Sequence, residues 1–538
     1  MQDDQLTLTR ILERATAFHP RGEIVTRVEE GTHRQSYETF ADRVARLATS
    51  LTEMGIRPGD RVATFAWNGW RHLELYFAVP CIGAVLHTLN IRLHPDQVAW
   101  IANHAEDRFA FVDPSLAEPF GRIAPELRTV EEVVALGDGD TGIEGALDYE
   151  ELLAGGEPTF DWPELDEDAA CLMCYTSGTT GHPKGVVYSH RALVLHSFMF
   201  NLAETVGLTE RDSVLPIVPM FHANAWGIPF AAAMAGAKQV FAGRFSADPE
   251  AIADLIEGER VTVAAGVPTV WIGLLQHLRQ HPRDLSSLRL VKMGGAAAPA
   301  SLIGAFEDEL SVAVQQGWGM TETGPLAALS RLPAEMESLP AAERHRVLAR
   351  QGRVVPGVRF RLVDPATGEE APWDGKTVGE VQVKGSWVAG EYYRDERSGE
   401  AFADGWLRTG DVGVVDEHGS IQLVDRTKDL VKSGGEWISS VELENALMGH
   451  PDVVEAAVIA VADERWGERP LACVVLRPGA EGPSAVGLRE FIAPSFPAWW
   501  LPERIEFVDE IPKTSVGKFD KKVLRAHYQG LYVSPPSE

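Results

Sequence analysis

Short β-branched and aromatic runs alternate with longer helical stretches through the first half of the chain. RVATFAW (61–67), DRFAFVD (107–113) and CLMCY (171–175) read as strands, and the helix-like HLELYFAVPCIGA (72–84) follows the first. SVLPIVPM (213–220), AKQVFAG (237–243), VTVAAGVP (261–268) and LRLVKMGG (288–295) continue the series. Helical stretches such as ADLIEG (253–258) and TVWIGLLQHLRQ (269–280) separate them. Alternation of this kind predicts an α/β fold of parallel-rich sheets with crossover helices. Near residue 350 the texture changes. VRFRLVDPATGEE (358–370), GEVQVKG (379–385) and GSIQLVDR (419–426) are strands joined by Gly- and Asp-containing turns, as in a small antiparallel β subdomain.

A polar, glycine-containing stretch, DRTKDLVKSGGEW (425–437), comes next. After it, Ser439 and Glu442 have the spacing of a capping box, and Leu443, Ala446 and Leu447 share one helical face. The remainder is sized for a small α+β C-terminal domain. The break within DRTKDL divides the chain into a large N-terminal domain, 1–427, and a C-terminal domain, 428–538, with the joint at about 425–429.

Composition narrows the class. The 538 residues fit two to four domains at roughly 100–200 residues each. Asp and Glu outnumber Lys and Arg by 78 to 49, a formal charge of −29, and 45% of residues are hydrophobic. That is a globular balance; it argues against a disordered chain, general nucleic-acid binding and an anionic membrane surface. The acidic surplus favours solubility and suits a salty cell interior. MQDDQLTLTR carries acids where a secretory signal needs basic and then apolar residues, and no apolar run reaches the ~18 residues of a membrane span. The cysteines, Cys81, Cys171, Cys174 and Cys473, are too few for a disulfide framework, so the expected compartment is the reducing cytoplasm. Cys171 and Cys174 form a CxxC, but on a strand residues three apart point to opposite faces. Buried thiols are therefore expected, not a metal or redox pair.

Four separated segments carry candidate chemistry. YTSGTTGHPKGVVYSH (175–190) packs Thr176, Ser177, Gly178, Thr179, Thr180 and Gly181 ahead of Lys184 and Gly185. Glycines let the backbone approach a polyphosphate, hydroxyls add donors and Lys184 adds charge. It is not a Walker loop, because Pro183 precedes the lysine and Gly185 follows it. QQGWGMTETG (315–324) offers the flat face of Trp318 for a purine and Glu322, between two threonines, as a Mg2+ ligand beside phosphates. Gly295 and Ala296, in GGAAAP, allow close backbone approach. In GWLRTGDVG (405–413), Asp411 is placed to take ribose hydroxyls. In IPKTSVGKFDKK (511–522), Lys518 follows Gly517 in a loop. Taken singly, an aromatic beside glycine, a turn aspartate or a basic patch has a plain structural reading.

In this order and spacing the segments resemble the adenylate-forming superfamily of acyl-CoA synthetases, peptide-synthetase adenylation domains and luciferases, from about residue 20 to 530. PMFHANAW, KSGGEWISSVELENALMGHP and FVDEIPKTSVGKFDKK look most like medium- and long-chain fatty acyl-CoA synthetases. The resemblance implies two steps: a carboxylate attacks ATP to give acyl-AMP and pyrophosphate, then CoA displaces AMP. It implies catalytic roles for Lys518, Lys184 and Glu322, with Mg2+ on Thr179 and Glu322. The nucleotide would lie on residues 176–181, Gly295, Ala296, Trp318, Gly319, Met320, Thr321, Asp411 and Arg426. Trp318 departs from the tyrosine of most relatives, keeping the flat face and losing the hydroxyl. Lys428 falls at the family hinge, about which a mobile C-terminal domain turns between half-reactions. Gly434, Gly435 and Trp437 would then help form the CoA channel.

His222 and Trp226 match the acyl pocket, Trp226 being either a gate between tunnel and nucleotide site or a core aromatic on an apolar helix. No basic residue stands out for a charged tail, and AAAMAGA nearby is apolar, so an aliphatic chain is expected. The implied activity is an ATP- and CoA-dependent ligase for medium- to long-chain fatty acids. The alternative is a ligase for a short functionalised acid such as 3-methylthiopropionate. A carrier-loading or binding module without a CoA step is disfavoured, because Lys518 and Glu322 are retained and no carrier domain follows PKTSVGK. A homodimer is implied by the resemblance alone.

Overall fold

The computed structural model describes residues 2, 4–137, 142–176, 182–364, 367–426, 430–433, 436–463, 465–477, 482–514 and 519–528, with only the backbone of 426, 436 and 437. Two mostly parallel sheets dominate, as the alternating pattern predicts. In the larger, strands run in the spatial order Arg353–Val354, Leu326–Leu329, Ala313–Gly319, Leu290–Met293, Val263–Gly266, Ser213–Pro216, Lys238–Phe241, Glu23–Arg27 and Thr32–Ser36. Its centre is parallel and its margins antiparallel. The second sheet orders Leu147–Asp148, Glu132–Ala135, Asp107–Val112, Arg61–Phe65, Val85–Thr88, Ala170–Tyr175 and Gly185–Ser189.

One apolar cluster joins the sheets. It takes Ile24, Val214 and Val263 from one, Val62, Phe109 and Leu172 from the other, and Phe40, Phe77, Phe200 and Phe230 from intervening helices. Alternate residues on the same strands serve the outer faces, Ala63 and Phe65 in one cluster and Ala264 and Val291 in another. Burial on both faces explains why these strands read as unbroken apolar runs.

The antiparallel subdomain is built from Val358–Val363, Gly379–Gly385, Phe402–Ala403, Trp406–Val415 and Ile421–Arg426. The last sheet orders Glu436–Ile438, Val431–Ser433, Gly467–Leu476 and Val453–Asp463, with Arg504–Phe507 beside Gly467–Leu476. It packs helices Ser440–Met448 and Ala485–Ile492 over its own core of Val431, Leu443, Leu447 and Leu488. The capping box is half realised. Ser439 Oγ accepts the Glu442 N–H at 3.1 Å, while Glu442 Oε1 turns away to accept from Gln422 Nε2 at 3.2 Å. A further tie crosses the same joint. The Asp425 carboxylate accepts the Ser440 N–H at 3.0 Å, and the Ser440 hydroxyl accepts from Lys521 Nζ at 2.5 Å.

Two local expectations are corrected. The CxxC thiols are buried, but they share one core cluster instead of facing apart. A bulge between Ala170 and Leu172 inserts Cys171 as an extra residue and breaks the alternation. Burial pushes both thiols up, Cys174 to about 11. Trp226 is not on the apolar helix. It sits in the left-handed turn Ala223–Gly227, with φ of 59°, ahead of helix Ile228–Ala235.

Candidate active site

A cavity of about 680 Å³ opens where the C-terminal ends of the parallel strands meet the antiparallel subdomain and the last domain. Strand ends of parallel sheets are where α/β folds place ligands, because the connecting loops converge there. Thr176 and Lys184 line it. They close the two ends of the Thr/Ser/Gly loop: Thr176 N–H donates to Lys184 O at 2.9 Å, and Lys184 N–H donates to Thr176 Oγ1 at 3.3 Å. The flanking strands Ala170–Tyr175 and Gly185–Ser189 pair antiparallel, so Lys184 leads into a strand and not into a helix. Ser177, Gly178, Thr179, Thr180 and Gly181 lie outside the described residues.

Trp318 ends strand Ala313–Gly319 and is 7% exposed. Its indole Nε1–H donates to Asp411 Oδ2 at 2.9 Å. The tryptophan thus binds the very carboxylate that the resemblance assigns to the ribose, something a residue-by-residue reading does not reveal. Gly319 lets the chain turn here: a Cβ on it would stand 1.8 Å from Pro325 O. Gly319, Met320 and Thr321 line the wall. Gly295 also lines it, whereas Ala296 is exposed and is not brought into the wall. Asp411 pairs in register with Arg426, whose side chain is outside the described residues.

Glu322 sits in the single 3-10 turn Thr321–Thr323, 4% exposed. Tyr392 Oη donates to Glu322 Oε1 at 2.7 Å, and Lys184 Nζ lies 4.4 Å from the Tyr392 ring centroid. Burial and the neighbouring carboxylate raise the Tyr392 hydroxyl far above its usual range, so it stays a donor. Arg397 lines the same wall, donates to His182 O at 3.0 Å and pairs with Asp395, which it holds below the usual carboxylate range. A buried carboxylate with one oxygen engaged by a hydroxyl is a hard oxygen donor. Mg2+ favours one or two such carboxylates together with water and substrate phosphates, so the residue fits that ion.

The last domain supplies Thr514, Phe519, Asp520, Lys521, Lys522 and Arg525 to the wall. Lys518 lies between two of these but is outside the described residues, as are Lys428, Gly434 and Gly435 and the side chain of Trp437. Lys521 also pairs with Glu444 at 2.7 Å; burial lifts that carboxyl to about 7 despite the lysine. His222, Trp226, Phe200 and Lys292 also line the cavity.

Sequence reasoning missed Tyr392, Arg397 and Lys292. The aromatic and charged run EYYRDER carried a signal for the first two. A lysine at an apolar strand position in LRLVKMGG was the signal for the third.

These features define a nucleotide-handling α/β enzyme with a second domain reaching over its site. The chain belongs to the AMP-binding enzyme family: the AMP-binding enzyme domain matches residues 12–393 and the AMP-binding enzyme C-terminal domain residues 442–518. It is 48% identical over 536 residues to a long-chain-fatty-acid–CoA ligase of Thermus thermophilus, covering 99% of this chain and 97% of that protein. It is 43% identical over 536 residues to a 3-methylmercaptopropionyl-CoA ligase of Ruegeria pomeroyi, covering 99% of each. The crystal structure of the anthranilate CoA ligase AuaEII with anthranoyl-AMP superposes with a TM-score of 0.88 at 26% identity, covering 98% of this chain and 99% of that one. Among the described residues no helix is long and apolar enough to cross a membrane.

Proposed function

We propose that the protein is an AMP-forming acid–CoA ligase that activates a carboxylic acid, in the first instance a medium- to long-chain fatty acid. The acid's carboxylate oxygen attacks the α-phosphorus of ATP and pyrophosphate leaves. The CoA sulfur then attacks the acyl carbonyl and AMP leaves. Both steps concentrate negative charge on transferring groups, so most of the catalysis is positioning and electrostatics.

The observation that carries this reading is one cavity lined by Trp318, Glu322 and Tyr392, with Trp318 bonded to Asp411 and Glu322 to Tyr392. The first pair suits a nucleoside: the indole face would stack on adenine, and Asp411 is the carboxylate bonded to it that would meet the ribose. The second suits phosphates. Lys184, Arg397 and the loop 176–181 would hold the triphosphate, with Thr179 and Glu322 holding Mg2+. The ion would offset charge on the phosphates and the departing pyrophosphate. Lys518 would reach the α-phosphate and the carboxylate in the first step; its sequence neighbours on the cavity wall, Thr514 and Phe519, support this. Rotation at Lys428 would then withdraw it and bring Gly434, Gly435 and Trp437 to the CoA channel. The joint between 1–427 and 428–538, a cytoplasmic location and a homodimer belong to the same reading. Light scattering on the purified chain checks the last.

A short thioether acid is the second reading. It is favoured by the Ruegeria relative and by Trp226, whose ring leaves no room for a side chain at Gly294: a Cβ there would lie 2.9 Å from Trp226 Cη2. AMP release across C3–C16 acids and a 3-methylthio acid, with and without CoA, tests both. CoA-dependent turnover peaking at C8–C16 supports the fatty-acid reading. A peak at the short or thioether acids replaces it with the second, and turnover indifferent to CoA overturns the CoA step.

A further inference from the structure

Lys292 lines the cavity on its acyl side, yet it is only 1% exposed. It stands in strand Leu290–Met293, two residues before Gly294, so the two share a face of the sheet. Trp226 packs on Gly294. At about 3.3 Å per residue, Lys292 therefore lies about 7 Å deeper into the sheet than the glycine under Trp226. The cavity is lined by both residues.

Its surroundings do not satisfy it. The Lys292 ammonium donates to Gln315 Oε1 at 3.0 Å, across the register from strand Ala313–Gly319. The neighbouring strand on the other side places Ala265 opposite. From helix His190–Phe200 it meets the Phe200 ring, 5.3 Å from the centroid, and the field of His196. Among the described residues no carboxylate pairs with it. His196 is fully buried, and neither of its ring nitrogens has a hydrogen-bond partner. Burial without a counter-charge pulls the lysine down to about 7 and the histidine to about 3. Burying an ammonium that has one neutral acceptor is costly, and an apolar side chain of the same length would fill the space without that cost. Holding Gln315, whose amide reaches Thr205 O at 3.3 Å, is a weak return for it.

We propose that Lys292 is a specificity determinant: it receives an oxygen acceptor, a carbonyl, hydroxyl or carboxylate, near the far end of the acyl chain. The inference rests on the acid–CoA ligase reading and narrows its substrate class from plain to distally oxygenated acids. A plain alkyl end leaves the amine's remaining donors unmet in a dry pocket. A distal oxygen meets them, and sites built to hydrogen-bond a substrate group reject analogues lacking it far more strongly than apolar pockets discriminate methylenes.

The test compares matched acids of C5–C10, each plain, with a penultimate ketone, with a terminal hydroxyl and as the dicarboxylate. CoA-dependent AMP formation is read as kcat/KM for the wild type, Lys292→Met and Lys292→Gln. The wild type is expected to favour at least one oxygenated acid over its plain partner by about tenfold or more. Lys292→Met should reverse that order by gaining on the plain acid, and Lys292→Gln should fall between. Plain acids preferred by the wild type at every length overturn the proposal, as does a Lys292→Met variant that lowers both classes by the same factor. If the variants do not fold, the wild-type series alone decides. The broader reading fails differently, by showing no CoA-dependent AMP formation with any acid.

Discussion

The two ends of the cavity each bury an ionisable group and treat it oppositely. At the end proposed for the phosphates Glu322 is met by the Tyr392 hydroxyl, with Lys184 just beyond the ring. At the end proposed for the acyl chain Lys292 has a neutral amide, the Phe200 ring and His196 for company. The first arrangement is complete enough to hold its geometry before ligand arrives, as electrostatic preorganisation requires. The second is incomplete, and such a group waits for its partner or pays for its absence. A buried charge is therefore best read through what surrounds it.

The comparison can be broken from the phosphate end first. On the proposed reading, in which Lys518 serves only the first step, Lys518→Ala should lower acid-dependent ATP–pyrophosphate exchange by about a thousandfold while leaving CoA-dependent breakdown of supplied acyl-AMP within about tenfold. Equal loss in both half-reactions would refute that division. Glu322→Gln keeps shape and the Tyr392 bond but removes the charge. Turnover should fall about a hundredfold and the Mg2+ concentration for half-maximal rate should rise. An unchanged Mg2+ dependence would leave Glu322 structural. Trp318→Phe keeps a flat face and loses the donor to Asp411. A few-fold rise in KM for ATP at nearly constant kcat is expected, of the size of about one hydrogen bond.

The smallest effect comes from the acyl end and is read in stability. Lys292 has a folded pKa of about 7 against an ordinary 10.5, so the unfolded chain binds the proton more tightly between those values. The lysine's penalty is therefore full below pH 7 and is relieved as pH rises toward 10.5. Lys292→Met should unfold later than wild type by a few degrees at pH 6–7, and the gap should close toward pH 10. A gap independent of pH would mean that the lysine is solvated in the folded protein.

Much of this was legible in the chain. Trp318, Glu322 and Asp411 stood out because each sits in a short segment whose glycines and hydroxyls are local signals, and the structure brings the first two to one cavity. The sheets were found because parallel strands buried on both faces leave unbroken apolar runs. Cys171 was misplaced because a bulge depends on the partner strand, not on CLMCY. The apolar neighbourhood offered Trp226 a place on a helix, but a left-handed turn holds it before the helix begins.

The sequence by itself determined the alternation of strands and helices, the hydroxyl- and glycine-rich segment ahead of Lys184, the aromatic among glycines at Trp318 and the family resemblance, all of which depend on residues close together along the chain. Only the tertiary structure decided that Trp318 is tied to Asp411, that Tyr392 bonds Glu322, and that Lys292 lines the same cavity with no carboxylate paired to it among the described residues. Those pairings join residues far apart in sequence, and whether a charge is satisfied depends on every element packed around it.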